Sequence, residues 1–363
     1  MPRGRARRGA NCKNLAVEPS GFDSHTEVRY NEPILLKGGF AMEEAVRTEL
    51  LDALHPFVKK KDLQEKAPMS RYTTLGFGGP AELLCEISSL DQLIAVLRIA
   101  SRLRVPVNVL GNGSNLLVRD GGWQGLTLRI SEHFAEVTGP DALADGRFAL
   151  TAQAGAPLIK LANLAADAGL SGLEFAAGIP GTVGGGVAMN AGAYGGEMKD
   201  VVKSVTCVDL TGTLQHYTNE QMAFGYRHSR LRGTDAAPEL VVSATFALPP
   251  GDPETIRVTM REFNARRREK QPLTLPCCGS TFKRPPGRFA GTLIDECGLK
   301  GLRVGGASVS TRHAGFLVND QEGTASDYLA LIDEVQRIVL EKTGVRLEPE
   351  VHIVGEDPPV SNE

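Results

Sequence analysis

No CxxC pair occurs in the sequence, and none of its six cysteines (Cys12, Cys85, Cys207, Cys277, Cys278 and Cys297) stands near a histidine at zinc-ligand spacing. A zinc module is therefore excluded by pattern, no metal is expected, and reduced thiols in a cytoplasmic protein are the natural reading. No apolar run approaches the roughly 20 residues that span a bilayer, and no hydrophobic leader core follows the basic start. Export and membrane insertion are not expected. Basic excess is missing too: the formal net charge is -3, which argues against a nucleic-acid partner. With 42% hydrophobic and 23% charged residues, the composition is that of an ordinary globular protein. A chain of 363 residues exceeds the size at which one core stops growing, so two or three subdomains able to enclose a cofactor are expected.

Glycine, by contrast, is abundant: 41 residues, and they cluster, which marks places where backbone must approach a ligand closely or take positive φ. Residues 1–41 carry Arg3, Arg5, Arg7, Arg8 and Lys13 without sustained periodicity, and read as a disordered basic extension outside any site. From Met42 the pattern turns helical, with Val46, Leu50, Leu51 and Leu54 on one face. Ser89 and Gln92 form a capping-box pattern ahead of a second helix carrying Leu90, Leu93, Ile94 and Leu97. A strand over residues 105–110 follows. Pro157 at a first helical position and Gly169 past the end bracket a third helix. Asp252 and Pro253 start a fourth that runs to Lys270, before Pro272. A last one covers residues 326–343, with Tyr328, Ile332, Val335 and Val339 inward and Gly344 as terminator. Interleaved helices and strands joined by long glycine-rich loops give an α+β class.

Two of those loops stand out. The first strand runs into Gly111-Asn112-Gly113-Ser114-Asn115 and then the apolar Leu116-Leu117-Val118. Successive N–H groups in such a turn can cradle a phosphate, although a plain tight turn between two strands fits the segment equally well. It is not a Rossmann fingerprint, because Leu116 stands where the third glycine belongs. The second loop is Gly178-Ile179-Pro180-Gly181-Thr182-Val183-Gly184-Gly185-Gly186, followed by Asn190-Ala191-Gly192-Ala193-Tyr194-Gly195. So many small residues make a poor core, and the interleaved Ile179, Val183, Val187 and Met189 are not those of a flexible linker. Something flat or extended is expected between them. Together the loops suggest a dinucleotide held by backbone, not by a mononucleotide-fold helix.

The ordered set Thr73-Thr74-Leu75-Gly76-Phe77-Gly78-Gly79, Leu110 to Leu117, Gly178 to Gly185, Asn190 to Gly195, Gly225-Tyr226-Arg227-x-Ser229, Gly279-Ser280-x-Phe282-Lys283 and Leu347-Glu348-Pro349-Glu350-Val351 resembles the enolpyruvylglucosamine reductases. With no tyrosine between Tyr226 and Tyr328, the chain is similar to the shorter form that lacks an extra tyrosine-bearing loop. The resemblance implies an FAD-binding fold of the vanillyl-alcohol-oxidase (PCMH) type in two subdomains, plus a smaller α+β substrate-binding domain. It assigns residues 42–122, with 350–358 returning, to the first subdomain, 123–270 to the second and 271–349 to the substrate domain. Non-covalent FAD is implied, held through Gly111, Asn112, Gly113, Ser114, Asn115, Ile179, Pro180, Gly181, Thr182, Gly184, Gly185, Asn190, Gly192, Ala193 and Tyr194. NADPH is implied as hydride donor, and a UDP-sugar, the enolpyruvyl ether of UDP-N-acetylglucosamine, as substrate.

Reduction of such an ether places hydride on the terminal vinyl carbon and leaves enolate character beside the carboxylate, which needs a cation and a proton. The resemblance gives these roles to Arg227, whose guanidinium can fork onto a carboxylate, to Ser280 as proton donor, and to Glu350 as partner of Arg227. Tyr226 and Lys283 match substrate contacts, Lys283 toward the UDP phosphates. Read from the residues alone, Ser280 fits a turn serine as well, Lys283 an exposed lysine and Tyr226 a core tyrosine. Cys277 and Cys278 are read as packing. A flavin-dependent oxidase of the same fold acting on another small substrate is the competing enzyme. A nucleotide-binding protein without chemistry is the competing non-enzyme.

Overall fold

The computed structural model describes residues 41–232 and 238–358, and the basic extension expected over residues 1–41 lies, apart from Ala41, outside them. The first unit holds α1 (Glu44–Leu54), β1 (Leu63–Pro68), β2 (Pro80–Ile87), α2 (Leu90–Arg102), β3 (Val107–Leu110), β4 (Leu116–Val118) and β5 (Trp123–Ile130). Leu50 and Leu54 of α1 are fully buried, as their spacing demands. Ser89 Oγ accepts the Gln92 N–H at 3.2 Å, but the returning arm is displaced by one residue, since Gln92 Oε1 takes the N–H of Ser88 at 2.7 Å.

The first sheet has the order β1-β2-β5-β3, antiparallel between β1 and β2 and parallel across the rest. A boundary at Trp123 would sever β5 from it. Leu126, Thr127 and Leu128 are consecutive and fully buried, the mark of an interior strand covered on both faces, so the first unit extends to Ile130.

The second unit comprises β6 (Val137–Ala142), β7 (Phe148–Gln153), α3 (Leu158–Asp167), α4 (Val183–Ala188), β8 (Gly192–Ala193), β9 (Gly196–Glu197), α5 (Met198–Val201), β10 (Val202–Asp209), β11 (Leu214–Thr218), β12 (Glu239–Leu248) and α6 (Pro253–Lys270). Its sheet is antiparallel throughout, in the order β11-β10-β12-β7-β6. Pro157 is the N-cap of α3, one position earlier than its sequence context suggests, and Gly169 follows the helix at φ +67°. Asp252 caps α6 by accepting the Thr255 N–H at 2.8 Å.

The third unit contains α7 (Ala290–Glu296), the antiparallel β13 (Arg303–Val304), β14 (Ala307–Val309) and β15 (Leu317–Asn319), and α8 (Ala325–Thr343) packed on that small sheet. α8 begins at Ala325 behind a capping box formed by Thr324 and Asp327, and Gly344 ends it at φ +71°. The chain then returns: β16 (His352–Val354) pairs in parallel with β4.

The two glycine-rich segments behave differently from each other. Gly111 to Asn115 is a loop between β3 and β4, whereas Val183–Ala188 folds as the short helix α4, capped by Thr182. The expectation of a continuous loop there is corrected by close packing. A Cβ on Gly184 would sit 2.9 Å from Ala154 Cβ, and one on Gly186 would sit 3.0 Å from Leu158 Cδ1. Those glycines let the helix lie against β7 and α3, a task that glycine performs by lacking a side chain. In the first loop Gly113 is required for two reasons: its φ is +59°, and a Cβ would overlap Tyr72 O at 2.1 Å. Gly113→Ala is therefore expected to lower unfolding stability by about 3 kcal/mol, from left-handed strain and overpacking together. Urea titration of the variant reads this directly, and an unchanged midpoint would contradict it.

Candidate active site

In the first loop the backbone N–H groups of Asn112, Gly113, Ser114 and Asn115 find no acceptor among the described residues. Apart from buried Gly113 these residues are half-buried or exposed, so their donors are open to water or to an anion, which successive N–H groups in a turn attract. The second loop lies alongside. Thr182 Oγ1 stands 2.8 Å from where Gly111 would carry a Cβ, and Ser114 Oγ is 3.7 Å from the equivalent point on Gly181. Those unspent donors, the Ser114 hydroxyl and the bare faces of Gly181 and Gly185 fit the pyrophosphate and adjoining parts of FAD.

Other residues expected against the cofactor do different work. Asn190, fully buried at φ +45°, has its amide committed within the protein: Nδ2 donates to Glu197 Oε2 at 2.6 Å and to Gly225 O at 2.8 Å, and Oδ1 accepts the Lys199 N–H at 2.9 Å. Gly192 is pressed against Glu197 in the β8–β9 hairpin, and its carbonyl accepts Arg227 Nη2 at 3.3 Å. Both therefore hold the arginine turn. Tyr194, half-exposed, stacks on Phe263 at 4.5 Å, with the Arg267 guanidinium 5.6 Å from its ring centre. Ala193 pairs with Gly196 across the same hairpin.

Arg227 sits at the tip of a tight turn closed by reciprocal Gly225–His228 backbone bonds of 2.9 and 3.2 Å, at φ +53°. Buried Ser229 anchors the turn by donating to Ala188 O at 2.7 Å. From there Arg227 Nε donates to Glu350 Oε1 at 2.6 Å. Glu350 is fixed on the other side: its N–H donates to Thr281 O at 2.7 Å, and its carbonyl accepts Asn115 Nδ2 at 3.0 Å. Burial pushes the Glu350 carboxyl above its ordinary range, against the opposing pull of Arg227, Lys283 and Arg232. Behind it, Arg232 Nη2 lies 3.1 Å from His352 Nδ1, and burial, reinforced by Arg232 and Lys283, pushes that imidazole down to about 3.

Ser280, Tyr226, Arg227 and Glu350 line one cavity of about 410 Å³. Ser280 is exposed to it, and its hydroxyl has no hydrogen-bond partner among the described residues, so it caps no local backbone. Tyr226 is no core residue: it is 51% exposed, its ring lies 5.1 Å from the Arg227 guanidinium, and its hydroxyl accepts the Arg284 N–H at 3.1 Å. Ser280, Phe282 and Arg284 alternate into the cavity, as extended backbone requires, which turns Lys283 away from its walls to pair with Glu348. The same alternation leaves the Glu348 side chain 62% exposed and Glu350 11%. Arg284, Lys300 and Arg312 are cavity cations that sequence reading missed; for Arg284 the even, four-residue spacing from Ser280 in an extended segment was the available signal. Burial raises the thiol of Cys278 to about 12, which suits packing rather than chemistry. No cluster able to hold a metal ion occurs among the described residues, and none of their helices is long and apolar enough to cross a membrane.

Comparison with known proteins identifies the family. The family model for the C-terminal domain of UDP-N-acetylenolpyruvoylglucosamine reductase matches residues 271–354, and an FAD binding domain model matches residues 81–218. The enzyme of that name from Lactobacillus delbrueckii subsp. bulgaricus is 49% identical over 296 residues, covering 82% of this chain and 96% of the relative. The chain belongs to the UDP-N-acetylenolpyruvoylglucosamine reductase family. The family member from Levilactobacillus brevis is 47% identical over 291 residues, covering 80% of this chain and 92% of its own. The crystal structure of the reductase from Thermus caldophilus superposes with a TM-score of 0.65 at 37% identity, over 80% of this chain and 98% of that one. An FAD binding domain joined to the family's C-terminal domain is thus the domain organisation, as expected from the motifs.

The committed Asn190 amide yields a test. Asn190→Ala strands the Lys199 N–H and frees the Gly225 carbonyl, which should cost about 2–3 kcal/mol. It should also slow turnover by loosening the turn that carries Arg227. Thermal unfolding alongside steady-state rates checks both, and a variant of native stability would show that the three bonds contribute nothing.

Proposed function

We propose that this chain reduces the enolpyruvyl ether of UDP-N-acetylglucosamine to UDP-N-acetylmuramate, a step of peptidoglycan precursor synthesis. The observation that carries this reading is the meeting, in one cavity, of a part-buried Arg227–Glu350 pair and a serine hydroxyl with no partner among the described residues. FAD, when bound, passes hydride from NADPH to the vinyl carbon of the substrate.

The chain's own residues handle the charge and the proton. Arg227 uses Nε on Glu350 and Nη2 on Gly192, which leaves further guanidinium donors for the substrate carboxylate. Glu350 accepts from Arg227 on Oε1 only. In its neutral form, favoured by burial, Oε2 carries a proton that can be shared with the same carboxylate, stabilising enolate character next to it. Ser280 Oγ then delivers its proton to the carbon bearing that charge; an alcohol is a weak acid, but an enolate is basic enough when the geometry is fixed. Solvent reaching the exposed serine restores the proton. Arg284, Lys300 and Arg312 supply positive charge for the diphosphate, in place of Lys283. A flavin oxidase of the same fold has no need for this combination of carboxylate clamp and proton donor.

Two measurements test these roles. Ser280→Ala should be bleached by NADPH at close to the native rate, yet be reoxidised by the enolpyruvyl substrate about 10³-fold more slowly, the scale of general acid catalysis. Equal losses in both steps would make Ser280 a structural residue only. Because burial raises Glu350, its proton is lost as pH rises through a value above the ordinary carboxylate range of about 4.3. The substrate-dependent step should therefore slow as pH rises through that value, and Glu350→Gln should lack that limb. The same limb persisting in the Gln variant would assign it to another group.

A further inference from the structure

The hydroxyl of Ser280 has no partner of its own, so only the backbone on either side decides where it points. Both flanks are held by one side chain. Tyr328, in the first turn of α8, is fully buried, and its hydroxyl lies 3.3 Å from Cys278 Sγ and 3.1 Å from Thr281 Oγ1 while donating to Leu317 O at 3.1 Å. Cys278 and Thr281 are the residues immediately outside Gly279-Ser280. Thr281 Oγ1 also accepts the Leu317 N–H at 3.2 Å, and its N–H donates to Gly315 O at 2.9 Å.

The proton inventory closes. Tyr328 spends its one proton on Leu317 O, so its oxygen accepts from the Thr281 hydroxyl and the Cys278 thiol; Thr281 in turn has an oxygen free for the Leu317 amide. Every member is satisfied, which makes such a network rigid and specifying. The tyrosine ring is itself wedged 5.5 Å from the ring of Phe77, in the chain segment ahead of β2.

We propose that Tyr328 is a positioning residue for the reduction: its hydroxyl pins Cys278 and Thr281 on either side of Ser280 and so fixes the proton donor in the cavity. This rests on Ser280 being that donor. A displacement of about 1 Å in a reacting group can cost on the order of 10²-fold in rate, so releasing both flanks should be felt in the proton-transfer step.

A double-mutant cycle in the flavin-loaded protein tests this, with Tyr328→Phe, Ser280→Ala and the pair followed by stopped flow. Tyr328→Phe should leave bleaching by NADPH unchanged and slow reoxidation by the enolpyruvyl substrate by about 10–100-fold. In the Ser280→Ala background the same change should slow it no further, because nothing remains to be positioned. Losses that multiply in the double variant, or that fall equally on both steps, would overturn the proposal and leave Tyr328 as a core residue. If Ser280→Ala alone reoxidises at the native rate, the donor assignment fails; if it slows and Tyr328→Phe does not, only the positioning role fails. Should Tyr328→Phe not fold, Thr281→Val cuts the same link and carries the same expectation.

Discussion

The hydrogen-bonded pairing of Arg227 with Glu350 is the constraint on which the site depends. Its partners lie 123 residues apart, one on a turn of the second unit and the other in the segment just ahead of the strand that returns to the first. Drawing a guanidinium and a carboxyl group together and partly out of water is costly unless their remaining hydrogen-bonding groups are met. The surrounding structure answers that demand. Asn190 and Ser229 fix the arginine turn, Gly192 takes a second guanidinium N–H, and Asn115 and Thr281 grip the backbone of Glu350. Asn115 ends the Gly111 to Asn115 loop and Thr281 follows Ser280, so that loop, the Ser280 segment and the Glu350 carboxyl share one hydrogen-bonded frame.

That frame carries an electrostatic balance. Glu350 is surrounded by cations, yet burial still outweighs them and raises its carboxyl. His352, two residues on, could add another charge to Arg232 but is held neutral, its imidazole pushed down to about 3. Unfolded, it would take up a proton near pH 6.5, so the stability its neutral form contributes is present above that pH and lost as pH falls toward 3.

Much of this was legible in the sequence because it is local. Leu50 and Leu54 announced α1, Asp252 and Pro253 the start of α6, and Gly344 the end of α8 through periodicity and capping chemistry alone. The glycine-rich runs were readable as close approach, but not what would approach: Gly113 meets the backbone of Tyr72, while Gly184 and Gly186 seat a helix against the protein itself. Strand β5 was misplaced since a strand buried on both faces has no alternation to mark which sheet it joins. The choice of Glu350 came from its motif, whereas the exposure of its neighbour Glu348 is visible only in the folded chain. Arg284, Lys300, Arg312 and the Tyr328 network did not, because their meaning comes from tertiary neighbours distant in sequence: Arg284 meets Tyr226, 58 residues away, and Tyr328 meets Cys278, 50 residues away.

The central claim is that electrons taken from NADPH leave to an enolpyruvyl UDP-sugar. Anaerobic titration of the yellow protein tests it most directly: NADPH should bleach the flavin, and UDP-N-acetylglucosamine enolpyruvyl ether should then restore the colour in oxygen-free solution with stoichiometric formation of UDP-N-acetylmuramate. Colour that returns only when oxygen is admitted would contradict the account and favour an oxidase of the same fold.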